Sequence, residues 1–112
     1  MKGERLGEFE ELVLLCARQL GDHAYGSAIQ AMLRESAGRE VTVGAIYAAL
    51  DRTVRKGLAR TWMGEASPVR GGRAKRMYAL TDEGEQTLLE TRIIRELLWT
   101  LPSEETVRPT GA

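Results

Sequence analysis

The chain has 112 residues and no net formal charge, with 43% hydrophobic and 29% charged residues, the composition of one globular domain and not of a disordered segment. A single cysteine, Cys16, and a single histidine, His23, exclude an internal disulfide and argue against a multi-cysteine zinc site or a hydrolytic triad, so neither a cofactor nor an enzymatic activity is expected. No apolar run reaches the ~18 residues of a membrane span, and the opening MKGERLGEFEE places acids ahead of the first apolar stretch, against a signal peptide; a cytoplasmic location with no membrane partner is the default expectation.

The first helix is expected from Glu8 to Leu20, stopped by Gly21. Its middle, Leu12 to Ala17, is apolar on nearly every side and has to be covered all round. A second subunit is one solution, which makes Leu12 and Leu15 candidate dimer contacts. Cys16 lies inside this run and reads as a buried, inert thiol, since free cysteine packs like a small hydrophobe. His23 follows Gly-Asp in a turn and reads as an exposed loop imidazole.

A second helix fits Tyr25 to Ser36, with Tyr25, Ala28, Ile29, Met32 and Leu33 forming one buried stripe. The third is capped by Thr42 and closed by Lys56-Gly57. Val43, Ile46, Tyr47, Leu50 and Val54 form its narrow apolar face, and Ala45, Ala48, Ala49, Arg52, Arg55 and Lys56 the opposite one. Small side chains followed by cations suit a helix lying close against another surface. An ordinary alanine-rich, solvent-facing helix fits the same pattern equally well.

Residues 58–63 and 74–80 alternate as two short strands around a turn-rich stretch, 64–73, making a hairpin. Thr81 is the expected N-cap of a last helix that runs to about Leu101, with acids in its first turn. Leu89, Ile93, Ile94, Leu97, Leu98 and Leu101 cover about half its circumference, more than the ~100° stripe that a single core contact needs. They are the main candidate dimer contacts. Leu88 and Trp99 fall on the other side. The tail, 102–112, is polar and expected to be disordered.

The charge is segregated. Residues 52–76 hold eight cations (Arg52, Arg55, Lys56, Arg60, Arg70, Arg73, Lys75 and Arg76) against Glu65 alone, a net of +7, whereas residues 1–51 and 77–112 carry −3 and −4. Placement, not the total, sets the field that a phosphate backbone meets.

Helix, helix, helix, hairpin, helix is the order of a winged helix-turn-helix, a mainly α (α+β) fold, here over residues 1–101 with the last helix, 81–101, free for dimerisation. The third helix is the element that enters a major groove, its N-terminal residues nearest the base edges. These are Thr42, Gly44, Ala45 and Ala48, with Arg52 in reach of base or phosphate. Tyr25 and Tyr47 either offer hydroxyls to phosphates or are purely structural. The hairpin sequence Arg70-Gly71-Gly72-Arg73-Ala74-Lys75-Arg76 sets four cations around a glycine hinge, a wing fitted to the DNA backbone in preference to a merely solvated loop. A winged helix that binds protein and not DNA is the alternative.

The stretches Leu6-Gly7-Glu8-Phe9-Glu10, Ala24-Tyr25-Gly26 with Ile29, Val43 to Leu50, Lys56-Gly57-Leu58, Gly71-Gly72-Arg73 and Tyr78 to Gly84 resemble, in order, the PadR-like transcriptional regulators of bacteria. The resemblance covers residues 6 to about 100. It implies a winged helix that dimerises through its C-terminal helix and acts mostly as a repressor on palindromic operators, with recognition helix 42–56 and wing 70–76. The single C-terminal helix matches the short subfamily. Some members bind planar aromatic compounds at the dimer interface through a tryptophan of that helix; Trp99 stands in a broadly similar place, though core or dimer packing is the simpler role for it. Trp62 reads as packing.

Overall fold

The computed structural model describes residues 6–65 and 74–102. The elements run α1 (Glu8–Leu20), a 3-10 turn (Gly21–His23), α2 (Gly26–Ala37), α3 (Val43–Arg55), β1 (Ala59–Met63), β2 (Arg76–Leu80) and α4 (Asp82–Thr100). Three boundaries have a local cause. Glu10, at the third position of α1, reaches back to accept the N–H of Gly7 at 2.8 Å, the carboxylate half of a capping box. The Thr42 and Thr81 hydroxyls accept from Ala45 N and Gly84 N, each at 3.0 Å, so both expected N-caps form. Tyr25 lies just outside α2 as its N-cap residue, so the second helix begins one residue later than its apolar stripe suggests.

α1 is the central element. On one side, Val13, Cys16 and Ala17 pack with Ile29 and Leu33 of α2, Ile46, Ala49 and Leu50 of α3, and Tyr78 of β2. On the other, Leu14 meets Leu58, Ala59 and Leu88 in a smaller cluster joining α1, β1 and α4. The apolar girth of α1 is therefore covered largely within one chain. Leu12 is half-buried against the main core, and Leu15 alone of the run stays exposed, at 39%. Ala49, grouped by the helical wheel with the solvent face of α3, is fully buried; the three helices approach closely enough for its methyl to fill the core.

The two strands pair antiparallel with Ala59 opposite Leu80, Thr61 opposite Tyr78 and Met63 opposite Arg76, and Gly64 N extends the ladder to Lys75 O at 2.7 Å. The junction into α4 is anchored to the start of β1: Thr81 N donates to Leu58 O at 3.0 Å and the Thr81 hydroxyl to Gly57 O at 2.7 Å. Gly84 then passes so close to Leu58 that a Cβ there would collide with the Leu58 carbonyl.

After Leu88 seats α4 on the body, the helix is tied to α1 by Arg18–Glu85 (2.9 Å) and Arg95–Glu11 (2.8 Å). Its apolar residues Leu89, Ile93, Ile94, Leu97, Leu98 and Leu101 remain about half exposed or more. Leu88 is thus the residue that docks the helix, as its separation from this face requires. Among the described residues, no helix is long and apolar enough to cross a membrane. From residue 103 onward the tail lies outside the described residues.

Because the Gly84 contact is with backbone and not with a flexible side chain, Gly84→Ala must push α4 away from β1. We expect a loss of about 1–3 kcal/mol, the usual cost of overpacking, measured by urea denaturation. Unchanged stability would show that the junction has slack.

Candidate nucleic-acid interface

The surface of α3 sorts into two halves. Ile46, Ala49, Leu50 and Thr53 are buried, while Thr42, Gly44, Ala45, Ala48, Asp51, Arg52 and Arg55 are exposed. The exposed row begins with residues no larger than threonine, so another surface can approach the helix backbone there without meeting long side chains. Tyr47 sits between the two halves. Its ring lies across Gly26, where a Cβ would come within 2.8 Å of the hydroxyl, and 6.1 Å from the Tyr78 ring. A side chain at position 26 would have to displace the Tyr47 ring, so the glycine allows the start of α2 to lie close against α3.

Charge is held in place at the far end of α3. The Glu10 carboxylate accepts Arg52 Nε at 2.8 Å and Lys56 Nζ at 2.7 Å, in addition to Gly7 N. Glu10 is only 5% exposed. Burial by itself raises its pKa, but the bonds from Lys56, Gly7 and Arg52 together outweigh that and hold it at about 2. Two of the eight cations in the basic block thus share one carboxylate at their root, which cancels one of their two charges. Arg52 still has 43% of its side chain exposed, compatible with the phosphate contact expected of it, but it leaves α3 pinned by a carboxylate. Sequence reasoning missed Glu10, since an acid in a first helical turn already has a local use.

Arg55, Arg60, Lys75 and Arg76 have no ion pair among the described residues. Lys75, at the root of the wing, places its ammonium 4.6 Å from the centre of the Tyr25 ring, a cation–π contact of about 0.5–1 kcal/mol at a surface. That contact couples the hairpin to the start of α2. Arg60 stacks similarly over Trp62 at 4.8 Å, and Trp62 is 40% exposed, so it is a surface residue more than a packing one. Arg70, Gly71, Gly72 and Arg73 lie outside the described residues.

Asp51 also escaped the sequence reading. It accepts the Tyr78 hydroxyl at 3.1 Å, joining α3 to β2. Burial, and then this bond, push the Tyr78 pKa up to about 12, so the hydroxyl remains a donor at neutral pH.

A separate groove of about 530 Å³ runs between α1 and α4, lined by Leu15, Leu88, Leu89 and Trp99 with Glu11, Arg92, Arg95 and Glu96 among its polar residues. Trp99 shares this groove with Leu88, as their common side of the helix implies, but is 86% exposed; it is not core.

A helix-turn-helix with a bare helix face beside a cationic two-stranded wing defines a winged-helix DNA-binding regulator. The chain belongs to the transcriptional regulator PadR-like family, whose family model matches residues 13–90. A PadR-like transcription factor from Bacteroides fragilis is 30% identical, with a TM-score of 0.67, over 84% of this chain and 85% of that one. A PadR family regulator from Clostridium difficile is 29% identical, with a TM-score of 0.63, over 82% and 95%. Bacillus subtilis PadR, solved in complex with operator DNA, shares the fold at 24% identity and a TM-score of 0.63, over 90% of this chain and 52% of that one. No curated protein matches the chain.

The Glu10 cluster has a pH signature. Its carboxyl falls from 4.5 to about 2 on folding, so its contribution is complete above about pH 4.5 and is lost as the pH drops through 2. Allowing for the solvent exposure of Arg52, that contribution is on the order of 2 kcal/mol. In urea titrations between pH 6 and pH 2, wild type should lose its advantage over Glu10→Gln across this window; parallel curves would refute the cluster's role.

Proposed function

We propose that this regulator is a homodimeric repressor that binds a palindromic operator, with α3 in the major groove and the wing on the flanking backbone. The observation that carries the reading is the exposed row Thr42, Gly44, Ala45 and Ala48, small enough for a close approach, beside the wing cations Lys75 and Arg76, which form no ion pair among the described residues. On this reading Arg52, Tyr25 and Tyr47 serve phosphates at the groove edge, and Arg70, Gly71, Gly72, Arg73, Lys75 and Arg76 form the wing. Bacillus subtilis PadR, which shares the fold, was solved in complex with operator DNA, in keeping with a DNA-binding role here.

A helix that leaves six large apolar residues half exposed needs a partner. A second copy supplies one by isologous packing of Leu15, Leu89, Ile93, Ile94, Leu97, Leu98 and Leu101, with Leu12 behind them. Two copies also set two recognition helices about one helical turn apart on DNA.

Footprinting on DNA upstream of its own gene should give one symmetric protected site, and size analysis a particle of two chains. Leu97→Asp with Leu98→Asp should abolish both. Replacing Arg73, Lys75 and Arg76 together by alanine should lower the slope of log affinity against log salt by about 0.9 for each phosphate that the wing no longer neutralises. Wild-type binding by that triple variant would remove the wing from the interface, and the absence of any protected site at low salt would favour a protein-binding module.

The α1–α4 groove, with Trp99 at its rim, suits a planar aromatic effector that relieves repression. Titration with a planar aromatic cation should quench Trp99 fluorescence in wild type and not in Trp99→Phe; a flat titration rejects the effector.

A further inference from the structure

α3 runs Val43–Arg55 and carries one carboxylate, Asp51. It stands on the exposed face, in the same row as Gly44, Ala48 and Arg55, which follow one another at the four- and three-residue steps of a helix face. An acid on a face turned toward polyphosphate opposes binding unless its acceptor atoms are used there. One use is structural: the hydroxyl of Tyr78, a residue only 1% exposed, donates to Oδ1 at 3.1 Å. That bond occupies one oxygen and needs an acceptor, not a charge.

The second oxygen has no such use. Arg55, one turn on, forms no ion pair with Asp51, Arg52 is drawn off to Glu10, and no described residue donates to Oδ2. The carboxylate of this exposed residue is thus an acceptor anchored by a buried hydroxyl, with one oxygen that takes no hydrogen bond from any described residue.

We propose that Asp51 is a specificity-determining residue that accepts a hydrogen bond from the N4 amino group of a cytosine in the major groove. The inference rests on α3 being the recognition helix. The chemistry is selective in both directions. A carboxylate only accepts, so it pairs with the cytosine amino donor and is repelled by guanine O6 and N7 and by thymine O4. Adenine offers a donor beside the N7 acceptor, a pattern that suits the amide of asparagine better than a carboxylate. With one oxygen held by Tyr78, Asp51 is fitted to a single donor. It therefore converts the electrostatic cost of an acid near phosphate into discrimination at one base pair per half-site.

Selection from randomised duplexes with the full chain tests this, comparing wild type with Asp51→Asn and Asp51→Ala. Wild type should select cytosine at one position in each half-site, with a penalty on the order of tenfold for other bases. Asp51→Asn keeps an acceptor for Tyr78 and should fold normally, which thermal unfolding will verify. It should move the preference at that position toward adenine and leave all others unchanged. Asp51→Ala should lose the preference there while binding more tightly overall, because a negative charge has been removed. Base preferences identical to wild type in both variants, with affinity changed uniformly, would overturn the inference and leave the recognition-helix reading standing. A wild-type chain that selects no sequence at all would overturn both.

Discussion

A carboxylate that is 5% exposed is stable as an anion only if donors replace the water it has lost, and Glu10 is given three: a backbone N–H from its own helix start and two cations from the end of α3. The C-terminal end of α3 depends on this. α3 touches the core through Ile46, Ala49, Leu50 and Thr53, and Tyr47 and Asp51 reach Tyr78 from its flank. The ion cluster at that end adds a directional contact, because losing either cation leaves the buried Glu10 carboxylate short of a donor. The exposed face bearing Gly44, Ala45 and Ala48 lies on the same helix, with Ala48 about one turn from Arg52. Compared with a hydrophobic contact of the same size, the cluster adds little net stability; what it adds is orientation.

Two tyrosines carry that orientation into the wing. Tyr78 is buried, packs against Tyr47 and binds Asp51 through its hydroxyl, so β2 is joined to α3 by two contacts. Tyr25 receives Lys75 on its ring, so the wing root also reports to α2. A short two-stranded hairpin is marginal by itself. Here it is fastened at its base by an aromatic pair, a hydroxyl–carboxylate bond and a cation–π contact. The close pass of Gly84 by Leu58 then sends α4 away from the same base. The direction of the apolar face of α4 is set by this junction together with Leu88 and the two ion pairs to α1.

What was legible in the sequence was whatever has a local cause. Gly21, Thr42 and Thr81 mark helix ends because a turn glycine and a capping hydroxyl act within three or four residues, and the exposed apolar side of α4 follows from spacing alone. The failures are equally physical. The wheel put Ala49 on the solvent side because alanine is compatible with either environment, and only the distance between helices decides. Glu10 drew no reading of its own, because nothing local reveals partners 42 and 46 residues away. Asp51 was passed over as one charge among many, because its significance depends on a tyrosine brought to it by the hairpin. Trp99 was placed away from the main apolar face, as observed, but a wheel cannot show that α1 and α4 leave a groove there.

The distribution of charge explains how such a protein combines affinity with selectivity while carrying no net charge. A uniformly basic surface would bind any phosphate backbone, and its affinity would rise for every sequence alike. This chain has a strongly basic block but ties two of its cations to the single charge of Glu10 at the end of α3, and places an acid in the exposed row of that helix. The effect is to lower the sequence-independent attraction at the helix while Lys75 and Arg76 retain it at the wing root. Phosphate contacts fix where a protein sits, and base contacts fix where it stays. On the proposed docking, a helix surface of small residues, one anchored carboxylate and one tethered arginine is poor at holding arbitrary DNA. Binding then depends on the wing for encounter and on the bases beneath α3 for retention.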